Sequence, residues 1–388
     1  MPLHLLKTAL ELVFALLTLC GLGYYLLVLW AARSFVRRSR PVEVFTPPVT
    51  ILKPVRGIDP EAFAAFESHC RQDYPDFEII FGVWDPADSA IAAIEQLKKE
   101  FPDRSLRLIV CPEILGTNRK VSNLVQMLPH ARHQHLIVND SDVRVPQDYL
   151  RRVVAPFADA KVGMVTALYR GAPEDTLGSE LESLGISTDF IGGVLAARVV
   201  DRGIRFALGS TLAIRRDLLA QIGGFEALLD YLADDYEMGK RTCDAGFRVE
   251  LADTVVDTHL PAYSLRSFFE HQLRWARGMR DSRRAGYFGV VLTFGLPWSV
   301  FALIAAGGAL WAWALFAVTV LARLAVAGVI GRVILRDPHV WCLLWLLPLR
   351  DFMALLVWCA SYAGHTIIWR GERFRLKDRK LYRVSGSA

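Results

Sequence analysis

The chain has 388 residues, 53% of them hydrophobic, with 45 Lys and Arg against 40 Asp and Glu, a formal net charge of +5. A positive mean hydropathy of +0.29 excludes an ordinary soluble or disordered chain and places part of the sequence in lipid. The small basic excess, without a nucleic-acid motif, excludes a nucleic-acid partner. Six cysteines without a CxxC pair exclude a zinc site or disulfide framework and predict reduced, buried thiols.

The first apolar block runs from Leu10 to Trp30 and is followed by Arg33, Arg37, Arg38 and Arg40. Positive charge after the apolar run, rather than before it, predicts an uncleaved transmembrane anchor over residues 1–35. It also places the following chain in the cytoplasm. Residues 36–263 change character. The short apolar runs VTILKPV (49–55), FEIIFGVWD (77–85), LRLIVCP (106–112), HLIVND (135–140) and VGMVTALY (162–169) predict strands. Helix-like stretches such as residues 87–101 lie between several of them. This alternation predicts an α/β domain with a mainly parallel sheet, whose ligands bind at the carboxyl ends of the strands.

Residues 264–287 predict an amphipathic interfacial helix in which Leu265, Phe268, Phe269, Trp275, Ala276 and Met279 share one face. Residues 288–388 form a C-terminal membrane region and a basic tail. Residues 288–308 and 311–331 are long enough to span, with Arg323 as a lone charge in the second. The block 339–369 is interrupted by Arg350 and Asp351 and has basic residues on both sides. Those flanks predict either a re-entrant hairpin or two crossings, with Arg350 near the turn. The tail carries Arg370, Arg373, Arg375, Lys377, Arg379, Lys380 and Arg383, for which anionic membrane lipid is the simplest partner.

Four charged features are candidates for chemistry: Asp85 with Asp88, Asp140-Ser141-Asp142, Asp234-Asp235 and Arg274-Trp275. Asn118, Lys120 and Asn123 lie in LGTNRKVSNL between the first two. Each has a plain alternative: Asp85 as a turn or cap, the acidic triplet as chance, Asp234-Asp235 on a solvated helix, Arg274-Trp275 as an interfacial anchor. As an ordered set they have a common logic. Two carboxylates at a strand end can hold a hard divalent ion, Mg²⁺ or Mn²⁺, while phosphate oxygens complete its shell. A separate carboxylate can deprotonate a hydroxyl, and Lys and Arg can stabilise a departing diphosphate.

The strings ILKPVRGIDP, CRQDYPDFEIIFGVWDPADSAI, GTNRKVSNL, DSDVRV, GGFEAL, ADDYEMG, LRW and IIWRGERFRL resemble the ceramide glucosyltransferase family (glycosyltransferase family 21) over nearly the whole chain. The strings PHARH, DYLRRVVAPFAD and LYRG resemble its bacterial hopanoid-biosynthesis branch. The resemblance implies a GT-A (nucleotide-diphospho-sugar transferase) fold and an inverting, UDP-sugar-dependent hexosyltransferase, multi-pass in a bacterial inner membrane with its catalytic domain cytoplasmic. It implies UDP-N-acetylglucosamine as donor and bacteriohopanetetrol as acceptor, with glucose transfer to ceramide or another sphingolipid-like lipid as the alternative. It places Lys53, Asp85, Asn118, Lys120 and Asp140 at the donor, and the metal on Asp140 and Asp142. Animal members of the family have glycine at the place of Asp142. Asp235 matches the presumed base. Arg274 and Trp275 match the family's (Gln/Arg)-x-x-Arg-Trp motif, with His271 in the first place and Gln272 beside it. A processive polysaccharide synthase shares the aspartates and the Arg-Trp pair, but would need more spans and a polar stripe. A nucleotide-binding transporter or scaffold would use Arg323 and the Arg350-Asp351 pair.

Overall fold

The computed structural model describes residues 3–38, 45–58, 61–369 and 372–384; Arg40 and Arg370 lie outside the described residues. In chain order the elements begin with helix α1 (Leu3–Val36), β1 (Val49–Val55), α2 (Ala62–Cys70), β2 (Phe77–Val83), α3 (Ala90–Glu100), β3 (Ser105–Val110) and α4 (Arg119–Met127). Next come β4 (His135–Val138), β5 (Val143–Arg144), α5 (Tyr149–Val154), β6 (Val162–Ala172), α6 (Leu177–Gly185), α7 (Ile191–Val200), β7 (Leu212–Arg215), α8 (Arg216–Gln221), α9 (Asp234–Asp244) and β8 (Arg248–His259). The last are α10 (Leu265–Ser282), α11 (Arg284–Gly289), α12 (Gly295–Ala305), α13 (Leu310–Ala327), α14 (Val340–Leu343), α15 (Leu347–Ser361), β9 (Thr366–Trp369), β10 (Glu372–Lys377) and β11 (Lys380–Arg383).

The chain forms two compact units. A sheet unit comprises Arg40–Glu174, Asp201–Ala262 and Gly371–Ala388; a helical unit comprises Met1–Ser39, Asp175–Val200 and Tyr263–Arg370. Residues Asp175–Val200, read from sequence within the 36–263 segment, therefore belong to the helical unit.

The sheet unit is built on eight strands in the order β3-β2-β1-β4-β7-β6-β8-β5. Strands β1 to β4 pair in parallel, β7 runs antiparallel to β4 and β6, and β6 pairs in parallel with β8. The apolar runs explain the parallel half. Ile51, Leu52, Ile79, Ile80, Phe81, Leu136, Ile137 and Val138 are all sealed from solvent, as strands covered on both faces require. Helix α3 lies between two of them, with Ala90, Ala93, Ile94 and Leu97 on its buried side. It starts later than residue 87 because the Asp88 carboxylate ties down the entry, accepting from Ala90 N at 2.9 Å and Gly57 N at 3.0 Å. The chain steps outward from β1 to β2 and β3, then returns to place β4 on the other side of β1. That reversal opens a crevice at the carboxyl ends of β1 and β4, where such sheets bind ligands.

Among the described residues of the helical unit, four stretches are long and apolar enough to cross a membrane: His4–Val36, Leu177–Val200, Leu310–Ile334 and Val340–Ser361. Arg284–Thr293 and Gly295–Ala305, bent by 52°, make a fifth if counted as one. The stretch Leu177–Val200 is the least apolar of the four, with a mean hydropathy of 1.3, because Ser179, Glu182, Ser187 and Thr188, all buried, dilute its apolar character. Helices α1 and α12 meet closely at two glycines: a Cβ on Gly21 would lie 2.4 Å from the Gly295 Cα. Small residues at such crossings let membrane helices approach.

The C-terminal apolar block differs from expectation. Arg350 sits inside α15, within the single run Val340–Ser361, and not at the tip of a hairpin. Nor is Arg323 a lone charge. Its Nε and Nη2 each donate at 2.8 Å to the Asp351 carboxylate, and its Nη1 donates to the Thr188 carbonyl at 3.0 Å. The six cysteines are all free, but Cys20, Cys342 and Cys359 are exposed on apolar helices rather than buried.

Candidate active site

The acidic stretch after β4 lies at the crevice. Lys53, in β1, is fully buried and donates from Nζ to the backbone carbonyl of Asp140 at 3.0 Å. Burial pulls its pKa down to about 7, against the pull of the Asp142 and Asp140 charges. A buried ammonium bonded to a main-chain oxygen fixes where the acidic loop begins. Asp142 is half-buried, and its carbonyl accepts from His259 N in β8 at 3.2 Å.

Helix α4 supplies the cation. Asn118 caps it, accepting from Val121 N at 3.2 Å, as Asn does where the first helical amides lack partners. The same Asn118 amide donates to the Tyr231 carbonyl at 3.0 Å and to Asp234 Oδ1 at 3.4 Å. In the first turn of the helix, Lys120 Nζ lies 2.7 Å from Asp140 Oδ1 and 3.6 Å from Asp234 Oδ2. Burial opposes its charge, yet Asp140 and Asp234 hold Lys120 protonated well above the usual lysine range.

Asp235 opens helix α9. Its Oδ1 accepts from Tyr236 N at 2.7 Å, and its Oδ2 faces Gly209, where a Cβ would lie 3.3 Å away. The same Cβ would lie 3.6 Å from Asp140 Oδ2. Gly209 thus leaves open a space that both carboxylates border. Burial and the charge of Asp234 push the Asp235 carboxyl up to about 7, opposed by Lys120. Gly209 was not singled out from sequence; its one signal is a glycine in ALGST just before β7.

The carboxylates Asp140 and Asp142 are hard oxygen donors suited to a divalent ion. Among the described residues no group of three His, Cys, Asp or Glu side chains forms a closed cage. An open site fits better. Asp140 Oδ2 points into the space left by Gly209, and Asp142 is two residues away. Mg²⁺-type sites take one or two carboxylates and complete their shell with phosphate and water oxygens.

Asp85 follows β2 at the same sheet edge and is exposed; its Oδ1 accepts from Ala87 N at 2.8 Å, so it shapes the turn as well as facing outward. Asn123 is buried and donates to the Gly82 carbonyl at 3.3 Å. Arg274 and Trp275 lie in the helical unit, on α10. The Arg274 guanidinium stands 5.9 Å from the Trp369 ring centroid, and the Trp275 ring lies 5.1 Å from His271 and 5.9 Å from Phe190. His271 Nδ1 contacts the buried Glu182 carboxylate at 3.0 Å. Gln272 accepts from Arg350 Nη2 at 3.2 Å. The apolar face of α10 is only partly covered: Phe268 and Ala276 are buried, whereas Leu265 and Met279 are exposed.

Comparison with known proteins bears on the family and the fold. Ceramide glucosyltransferase 1 of Caenorhabditis elegans is 22% identical over 345 residues, covering 85% of this chain and 72% of the relative. The ceramide glucosyltransferase of Komagataella phaffii is 35% identical over 122 residues, 30% of this chain and 24% of the relative. A mannosyltransferase of Pyrobaculum calidifontis, solved with GDP-Man and Mn²⁺, has a TM-score of 0.57 at 22% identity, covering 89% of this chain and 98% of its own. That likeness establishes the GT-A-like fold. The model of Glycosyl transferase family 21 matches residues 13–382, and the chain belongs to that family of glycosyltransferases.

Proposed function

We propose that this chain transfers a hexose from a UDP-sugar to the hydroxyl of a membrane lipid, with inversion at the anomeric carbon. The observation that carries the reading is the convergence of Asp235 Oδ2 and Asp140 Oδ2 on the open face of Gly209, beside the Lys120 ammonium. In this reading Asp235 takes the proton of the lipid hydroxyl as its oxygen bonds to the anomeric carbon. The bond from that carbon to the diphosphate breaks, UDP leaves with the electron pair, and an α-linked donor yields a β-glycoside. Asp140 and Asp142 would hold a divalent ion whose chemistry is to neutralise the leaving diphosphate. Lys120 adds a fixed positive charge at the same place, and Asp85 contacts the uridine side of the donor. Lys53 and Asn118 act through the backbone and side chains they hold. Arg274 serves the departing UDP and Trp275 the acceptor.

The names of the curated relatives favour glucose as the sugar and a ceramide-like lipid as acceptor. A second reading, N-acetylglucosamine onto bacteriohopanetetrol, rests on the strings PHARH, DYLRRVVAPFAD and LYRG. Crossing UDP-glucose and UDP-N-acetylglucosamine with ceramide and bacteriohopanetetrol, and weighing the products by mass spectrometry, separates the two. In the same assay Asp235→Asn should abolish transfer while donor binding survives; substantial turnover would reject Asp235 as base. A polymer formed from UDP-sugar alone would point instead to a processive synthase.

A further inference from the structure

We propose that the C-terminal hairpin β10–β11 is a clamp on the acidic helix of the site, and that Arg379 is a positioning residue for Asp234 and Asp235. The basic tail was read from sequence as a charged stretch facing lipid. It is an ordered antiparallel hairpin, with Phe374, Leu376 and Leu381 buried. Its strands are joined by Asp378 and Arg379, both in the left-handed region with φ of 50° and 68°. A two-residue turn of that kind prefers glycine at its second position. Arginine in such a place bears strain, and strain that persists is a pointer to what the side chain does.

The side chain touches both sides of the acidic pair. Arg379 Nη1 donates to Glu237 Oε2 at 2.6 Å, 142 residues away in sequence, and Glu237 is two residues beyond Asp235. The guanidinium also stands 5.7 Å from the Tyr231 ring centroid, and Tyr231 is three residues before Asp234. Main-chain bonds reinforce the grip: Leu232 N donates to the Arg379 carbonyl at 3.2 Å, and Leu381 N to the Asp230 carbonyl at 2.8 Å. Lys380 and Arg241 stand over the same Tyr231 ring at 5.4 and 5.6 Å.

The opposite side of the segment is held by the loop before α4. Thr117 donates from its amide and hydroxyl to Asp230 Oδ1 at 3.1 and 3.0 Å, and Asn118 N donates to the Leu229 carbonyl at 2.8 Å. Residues 229–233 are therefore fixed between the loop that presents Lys120 and the hairpin, and they lead directly into Asp234. The hairpin braces the segment that carries Asp234 and Asp235 without contributing a reacting group.

This inference rests on the proposed role of Asp235 as base, and its test separates the clamp from that role. Arg379→Gly removes the side-chain contacts of the clamp, to Glu237 and Tyr231, and leaves its main-chain bonds, while giving the turn the residue it prefers. Its melting temperature should match or exceed the wild type. Its kcat should fall by roughly ten- to a hundredfold with little change in donor KM, as small misplacements of a reacting group produce. Arg379→Lys, which keeps a cation within reach of Glu237, should recover part of the loss. Hydrogen exchange at the amides of residues 234–237 should accelerate in Arg379→Gly, a readout that needs no turnover. Wild-type kcat in Arg379→Gly, or unchanged exchange there, would overturn the clamp. A melting temperature that falls in step with kcat would overturn it too, in favour of a purely structural hairpin. A wild-type chain that transfers no sugar would overturn the proposed function and leave the exchange test standing.

Discussion

Lys120 and Asp140 are joined across the crevice at 2.7 Å, from the first turn of α4 to the loop after β4. The same ammonium faces Asp234 and lowers the pKa of Asp235, so one cation balances three carboxylates. Lys120→Met should reduce kcat by about a hundredfold, the scale seen when one fixed stabilising donor is lost. It should also move the acid limb of the rate profile to higher pH, because Asp235 loses the charge that favours its ionised form. Steady-state kinetics of the variant over pH check both effects; wild-type turnover in Lys120→Met would exclude the role.

The pH profile of the unmodified enzyme carries its own expectation. Burial and Asp234 push the Asp235 carboxyl up to about 7, and a base acts only when deprotonated. Transfer should therefore be slow below pH 7, rise as the pH passes through that value, and level off above it. Measuring kcat/KM against pH with saturating metal tests the point. A rate already at its plateau well below pH 6 would show that the group is not held as described.

Gly209 offers a steric test. A methyl group there would press on Asp235 Oδ2 at 3.3 Å and stand beside Asp140 Oδ2 at 3.6 Å. Both neighbours are ends of side chains, so the chain should fold. Gly209→Ala should lower kcat by about tenfold or more, since displacing a reacting group by a fraction of an ångström is costly. The melting temperature should stay near that of the parent. Loss of folding would mean that the contact is with the backbone frame, and full activity that the space is not used.

The parts of the molecule that local pattern determines were legible. Strand β1 follows the apolar run VTILKPV residue for residue, and the carboxylates after β4 sit at the sheet edge because a parallel, buried sheet leaves its ligands nowhere else. What escaped depends on distant partners. Gly209 acquires meaning only when Asp140 and Asp235 close on it. The tail's arginines look like a basic run suited to anionic lipid until Glu237, far earlier in the chain, is placed against Arg379. The span Leu177–Val200 was hidden because its polar residues face other helices rather than lipid or water, so average hydropathy understates it.

The same failure applies to Arg323, whose partner Asp351 lies 28 residues on. Both groups are buried, on helical stretches apolar enough to span a membrane, and an unpaired charge in such a place is expensive. Removing one partner strands the other, at a cost of about 3–5 kcal/mol for a buried pair. Arg323→Met and Asp351→Leu should each lower the unfolding temperature in detergent sharply. The double substitution should recover most of the loss, because well-packed apolar side chains can replace a buried ion pair without penalty. The thermal unfolding of the three variants, followed by tryptophan fluorescence, decides the matter. If the double substitution were as damaged as the sum of the singles, the pair would owe its place to its hydrogen bonds with Thr188 rather than to charge balance alone.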